Sequence, residues 1–196
     1  MRPIDYVINL LLSLTLIIGV YQFYFWCQRN PFAASRELAL PVDERIPYRP
    51  AWVWVYSGVY YPLILYLNLV LESPRQFTHV AASYLLLLCA QMAFFLLFPV
   101  STPVHWRAYN RRRGPSERLL SWVQRFDARS NSFPSMHVSV ATLTALHLQG
   151  HFGPAVLLFP LLVALSCIYT KQHYLLDLPP GAALGWVVFR MYALSG

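Results

Sequence analysis

Charge is what this sequence has least of. Only 12% of its 196 residues are Asp, Glu, Lys or Arg, against 57% hydrophobic, which excludes both a disordered chain and an ordinary water-soluble domain. Lysine is nearly absent, Lys171 being the single copy, so the formal charge of +7 is carried by arginine. A basic balance usually suggests nucleic acid. Here the arginines are confined to connecting segments of an apolar chain, so no nucleic-acid partner is expected, and membrane headgroups or an anionic substrate take its place. Cysteine is scarce as well: Cys27, Cys89 and Cys167 sit in or beside apolar runs, at no disulfide or metal-ligand spacing, and read as small buried hydrophobes. No internal repeat or low-complexity tract is visible.

What is present instead is long uncharged sequence. Tyr6 to Trp26 holds no Asp, Glu, Lys or Arg and, at about 1.5 Å per residue, can cross a hydrocarbon core of roughly 30 Å. It exceeds the apolar core of a cleaved signal peptide and no small-x-small cleavage site follows, so it is expected to remain in the mature protein. Trp52 to Leu71, rich in Trp and Tyr at its start, and His79 to Val100 are two further runs. Val138 to Thr170 is thirty-three residues without formal charge, too long for one span, and Gln149-Gly150-His151-Phe152-Gly153-Pro154 punctuates it as a turn. The expectation is an all-α polytopic membrane protein: one transmembrane domain over residues 1–196, with six spans at about 6–26, 52–71, 79–100, 133–148, 154–170 and 178–194. Residues 101–132 form a basic connection in which Leu119, Leu120, Val123 and Phe126 recur at helical spacing, predicting a short helix on the membrane surface. Phe32 to Pro50 reads as a loop capping the same face.

With six spans, the first, third and fifth connections emerge together. Twelve cations fall on that face, and three, Arg2, Arg75 and Arg190, on the other. Two segments there carry chemistry. In Ser132-Phe133-Pro134-Ser135-Met136-His137 the chain runs into the fourth helix, with proline expected in its first turn and free amide groups of Ser135, Met136 and His137 facing an anion. In Tyr169-Thr170-Lys171-Gln172-His173-Tyr174-Leu175-Leu176-Asp177, His173 and Asp177 are four apart and share a face if the segment is helical. A carboxylate so placed fixes the imidazole tautomer and raises its basicity. Two histidines, an aspartate, a helix N-terminus and several cations supply the nucleophile, proton donor and charge cradle of phosphoryl transfer. His137, His173 and Asp177 are also possible zinc ligands, but the cationic surroundings repel a divalent ion. No metal and no other cofactor is expected.

Pro134-Ser135-Met136-His137 resembles the PSxH element of the type 2 phosphatidic acid phosphatase (PAP2) superfamily, which includes the vanadium haloperoxidases, and His173-Tyr174-Leu175-Leu176-Asp177 resembles its HxxxD element. The resemblance covers roughly Ser101 to Gly196. It implies a PAP2-like helical bundle in which His173 is the nucleophile forming a phosphohistidine, Asp177 orients it, His137 protonates the leaving alkoxide, and Ser135 helps hold the phosphate. The family's KxxxxxxRP element has no clean copy, since Arg107 precedes Gly114-Pro115 at the right distance but Gly114 stands where the arginine belongs. Its SRxxxxxH element begins here with Ser166-Cys167. Lys171 with Arg107, Arg111, Arg112 or Arg113 would replace the missing phosphate grips. These departures, with Leu40-Pro41-Val42-Asp43 and Gln172-His173-Tyr174, are reminiscent of the inositol phosphorylceramide and sphingomyelin synthase branch.

Plainer roles compete. Asp177, just before Leu178-Pro179-Pro180-Gly181, is placed to cap the sixth helix, and the Ser135 hydroxyl to cap the fourth. The arginines could meet lipid phosphates, while His79, His105, His147 and His151 fall at helix ends or turns and receive no chemistry. The reading is an integral membrane enzyme, expected in a bacterial inner membrane, acting on a lipid phosphate monoester or pyrophosphate and otherwise touching membrane lipids; no oligomeric state is specified. Transfer of a phosphoryl headgroup to an alcohol is the second reading, and a non-catalytic lipid or anion transporter or scaffold the third. Twelve cations against three favour a cytoplasmic active face by the positive-inside rule, whereas the resemblance implies an extracytoplasmic one.

Overall fold

The computed structural model describes residues 1–111 and 113–195. Its first helix, α1 (Pro3–Arg29), is longer than the uncharged run: Pro3 occupies the first turn, and the Asp5 carboxylate turns back to accept the Arg2 backbone N–H at 2.8 Å. The second apolar run begins as a short tight turn (Pro50–Trp52), widens into a π turn (Trp54–Val59) and continues as α3 (Tyr60–Val70). Pro62 offers no N–H to the Gly58 carbonyl, so a local irregularity is expected there. Before it lies α2 (Pro41–Arg45), a single turn inside the loop read as a cap.

The third run, α4 (Pro74–Leu97), starts five residues before the uncharged stretch. Ser73 Oγ accepts from Gln76 N at 3.1 Å and Pro74 sits in the first turn, a start signal that admits Arg75. The basic connection holds two helices, α5 (Val104–Ala108), which the sequence did not announce, and α6 (Pro115–Phe126). In α6 Leu120 is buried while Trp122 and Phe126 face outward. The next helix, α7 (Met136–Phe152), begins later than expected because Ser135 is its N-cap and Pro134 precedes it. It also runs through Gly150 and turns only at Gly153, whose φ of 65° is one that glycine adopts readily. A tight turn leads into α8 (Leu158–Tyr169), and α9 (Leu178–Ser195) closes the bundle.

Four stretches among the described residues are long and apolar enough to cross a membrane, Pro3–Arg29, Pro50–Val70, Pro74–Leu97 and Met136–Tyr169. The last is folded at Gly153, so that α7 and α8 pack on each other. Among the described residues there is no β-strand, and one isolated bridge pairs Arg36 with Val100. α7 is central, packed most closely on α9 and also against α3, α4 and α8, while α1 lies on α3 and α4. Tyr56, Tyr60, Val138, Ala141, Phe159 and Val163 form part of the core between them, and Leu11, Ile18, Leu69, Leu97 and Leu161 are exposed, as side chains facing lipid would be. Cys27 and Cys167 are buried; Cys89 is exposed, against expectation.

Three connections are stitched together at one end of the bundle. Arg36 N donates to Pro99 O and Ser101 N to Arg36 O; Arg49 N donates to Tyr169 O, Ser132 N to Val100 O, and Ser135 N to Asp177 O. This knot of loops carries the two sequence elements singled out above.

Candidate active site

His173 lies in a turn between α8 and α9, not on a helix: Tyr174 is extended and only Leu175–Asp177 coil tightly before α9. The four-residue spacing nevertheless closes, because Asp177 Oδ2 accepts the Tyr174 N–H at 3.0 Å and lies 3.2 Å from His173 Nδ1. A second acceptor, the Ser132 carbonyl, is 3.0 Å from the same nitrogen. With oxygen acceptors on both sides, Nδ1 carries the proton and Nε2 keeps its lone pair. Asp177 therefore orients His173 and does not cap α9 with its side chain. Its Oδ1 is buried and finds no partner among the described residues; burial raises its pKa above the ordinary carboxylate value, and the hydrogen bond from His173 opposes that rise.

His137 is the second residue of α7. Its ring is stacked on Tyr56 with centroids 4.0 Å apart and packed by Tyr60 at 4.8 Å. The two imidazole centroids stand 6.1 Å apart, and both line a cavity of about 540 Å³ walled by Tyr21, Tyr24, Trp122, Phe126, Asp127 and Asn131 among others. Nε2 of His137 is buried with no hydrogen-bond partner among the described residues, and a buried polar atom of this kind suits a ligand oxygen between the rings. Met136 also lines the cavity, but the Ser135 amide expected to face an anion is taken by the Asp177 carbonyl at 3.0 Å.

The other residues expected at a phosphate are deployed differently. Ser135 is fully buried and its Oγ accepts from Val138 N at 3.4 Å, the capping role; it does not line the cavity. Lys171, also buried, donates to the Asp43 carbonyl and lies over the Trp106 ring at 4.9 Å. Burial lowers its pKa, with Glu44 and Asp43 opposing. Lys171 thus clasps the loop of residues 30–50, whose Asp43 also accepts the Leu175 N–H at 2.9 Å. Arg107 donates to Asp127 Oδ2 at 3.1 Å and to the Gln124 carbonyl at 2.9 Å; burial lowers its pKa and the Asp127 carboxylate counters it. Arg111 is exposed, away from the cavity wall, and Arg112 lies outside the described residues. No cluster of three His, Cys, Asp or Glu able to hold a metal occurs among the described residues, since Asp177 occupies the far side of the His173 ring.

Sequence reasoning did not single out Asp127, the acidic group on the cavity wall. Gln28 donates to it at 2.6 Å, Tyr24 at 3.4 Å and the Arg129 N–H at 3.1 Å. The available signal was Asp127-Ala128-Arg129-Ser130-Asn131, a turn-rich run in which Arg129 and Asn131 take positive φ. His147, expected at a helix end, instead lies inside α7, beside Ser83 at 3.0 Å and edge-on to Tyr192.

An all-helical bundle with spans apolar enough for a bilayer, and two histidines converging on a cavity at one end, has the form of a membrane-embedded enzyme. The chain belongs to the PAP2 superfamily, whose pattern it matches over residues 29–191. No curated protein and no solved structure matches it. Membership supports phosphatase-type activity and an integral membrane location.

Proposed function

We propose that the protein hydrolyses a lipid phosphate monoester or pyrophosphate in two steps through His173. The observation that carries the reading is the pairing of an oriented imidazole, its Nδ1 held by Asp177 and Ser132, with a second imidazole whose Nε2 has no partner among the described residues, both lining one cavity. The Nε2 lone pair of His173 attacks phosphorus; the bond from phosphorus to the leaving oxygen breaks, and that oxygen takes a proton from His137. Water then gives its proton to His137 and attacks phosphorus, and the nitrogen–phosphorus bond breaks to release inorganic phosphate. Of the first amides of α7, those of Ser135 and Val138 are already bonded to the Asp177 carbonyl and Ser135 Oγ, so in this reading the phosphoryl oxygens take the amides of Met136 and His137. Arg107 is linked to the cavity wall through Asp127. The active face is proposed to be extracytoplasmic, in a bacterial inner membrane.

Purified protein should release inorganic phosphate from lipid phosphate without any added alcohol and should form an acid-labile phosphoenzyme that His173→Ala abolishes. Activity of His173→Ala within about tenfold of wild type, a barrier change near 1.4 kcal/mol, would reject the nucleophile. Asp127, Asn131 and Ser57 on the same wall favour a second reading, transfer to a hydroxyl acceptor bound there; phosphate release that appears only as product ester when a polyol is supplied would select it. A non-catalytic scaffold would show neither turnover nor saturable inhibition by vanadate.

A further inference from the structure

A second cleft, wholly within the apolar segments, lies between α1, α3 and α4, with Leu16, Ile64, Leu67, Phe77 and Ala81 on its walls. It shares Ile17, Tyr21, Tyr61 and Met136 with the histidine cavity, so the two spaces adjoin. Tyr21 and Tyr61 are hydrogen-bonded hydroxyl to hydroxyl at that boundary. Deeper in, the Ser13 hydroxyl donates to Asn68 Oδ1 at 3.1 Å and Asn68 Nδ2 donates to the Leu65 carbonyl at 3.0 Å. This buried polar pair interrupts an otherwise apolar wall.

We propose that this cleft holds one hydrocarbon chain of the substrate, which passes from the phosphate between His137 and His173, beside the Tyr21–Tyr61 pair, into the space between α1 and α3. This inference rests on the hydrolase reading above and adds to it a site that selects chain length. Apart from Ser13, Asn68 and the tyrosine hydroxyls the cleft is lined by apolar side chains, so the occupant is a hydrocarbon chain. The wall it shares with the imidazole cavity makes that chain the tail of the molecule whose phosphate reacts, and not an unrelated bilayer lipid. Seven residues of α3 separate Tyr61 from Asn68, about 11 Å at the helical rise, or roughly eight methylene groups beyond the tyrosines. Within that reach each added methylene leaves water or detergent for an apolar wall; at Ser13 and Asn68 the chain meets polar groups and the gain per methylene falls.

The test is a series of single-chain alkyl phosphates, from butyl to octadecyl, assayed on full-length protein in detergent. Wild type should show kcat/KM rising with chain length and then levelling. Ala81→Phe and Ile64→Phe, which fill the cleft, should lower kcat/KM at least tenfold for the long chains while leaving butyl phosphate within about twofold. A loss equal at every length, or no loss at any, overturns the proposal. Retained butyl phosphate turnover shows that a variant is folded. Wild type is also labelled with a long alkyl phosphate carrying a photoreactive group at its chain end. Labels on α1, α3 or α4 residues of the cleft, suppressed by excess unlabelled alkyl phosphate, are expected; labels confined to Trp122 or Phe126 of α6, or equal labelling by the corresponding alcohol, overturn the site. If wild type turns over no substrate but labels the cleft, the hydrolase reading fails and the chain site stands. Turnover with labels elsewhere sinks the chain site alone.

Discussion

Replacing Asp177 by Asn separates orientation from stability at a single residue. The carboxylate accepts from His173 Nδ1 at 3.2 Å and from the Tyr174 N–H at 3.0 Å, and no solvent reaches it. When Nε2 attacks phosphorus, the imidazole ring gains positive charge about 4 Å from this carboxylate. Two unit charges at that separation interact by roughly 4 kcal/mol at an effective dielectric of 20, which is close to a thousandfold in rate. Asn retains an acceptor for one of the two N–H groups, and the Ser132 carbonyl, 3.0 Å from Nδ1, continues to hold the tautomer. The expected fall in kcat for alkyl phosphate hydrolysis is therefore about 10²- to 10³-fold, with KM little changed.

Thermal unfolding should move the other way, or not at all. Burial raises the Asp177 pKa in the folded protein, so folding favours its neutral form. The stability it contributes is fully present below the unfolded value near 3.9 and is lost as pH rises through the raised folded value. At pH 7 the ionised side chain costs folding energy, and Asn relieves that cost. Asp177→Asn should thus unfold at or above the wild-type temperature at pH 7, with the advantage shrinking as pH falls through the raised value. A kcat within tenfold of wild type would refute the orienting role; a large kcat loss accompanied by a drop in melting temperature of many degrees would make it structural.

The other expectations are narrower. His137→Ala should lower turnover of alkyl phosphates about a hundredfold while leaving an aryl phosphate, whose leaving group needs no proton, within about tenfold; equal losses on both would deny His137 the acid role. Lys171→Met should lower unfolding stability by about 1.5–3 kcal/mol, the range for a hydrogen bond from a charged group, with little change in KM. A raised KM at unchanged stability would return Lys171 to the phosphate. Gly185→Ala should reduce both folding yield and kcat, because a Cβ there would lie 2.3 Å from the Ser139 carbonyl; wild-type stability and rate would contradict the close packing described below.

Much of this architecture was legible because hydrophobic length and punctuation are local properties. The run from Trp52 and the amphipathic pattern of Leu119, Leu120, Val123 and Phe126 fall where helices occur. The boundary drawn at charge failed at Arg75, where the Ser73 cap and Pro74 determine the start, and the one drawn at glycine punctuation failed at Gly150, which a helix tolerates when the following Gly153 makes the turn. Both histidines and the aspartate were legible by type and spacing, and the structure brings them together. The Ser135 cap was legible as the plainer of its two roles, but the destinations of Lys171 and Arg107 were not, because each depends on a partner distant in sequence, respectively the Asp43 carbonyl and the Asp127 carboxylate. A cation near an expected anion site reads as a ligand until the fold shows which carboxylate or carbonyl already holds it.

The convergence of two elements more than thirty residues apart has a specific mechanical cause. The Ser135 N–H donates to the Asp177 carbonyl at 3.0 Å, so the residue that caps α7 is bonded to the residue that orients His173. Such a bond needs the backbones of α7 and α9 nearly in contact, and Gly181 and Gly185, one turn apart on α9, permit it. A Cβ at Gly181 would stand 2.6 Å from the Ser135 carbonyl, and backbone cannot yield as a side-chain tip can. Small residues four apart allow this approach between helices, here at the level where the imidazoles meet. The 6.1 Å between their ring centroids is therefore set by two glycines and one backbone hydrogen bond as much as by the histidines themselves. A methyl group added on α9 would act on the chemistry by widening that gap, without touching any group that takes part in it.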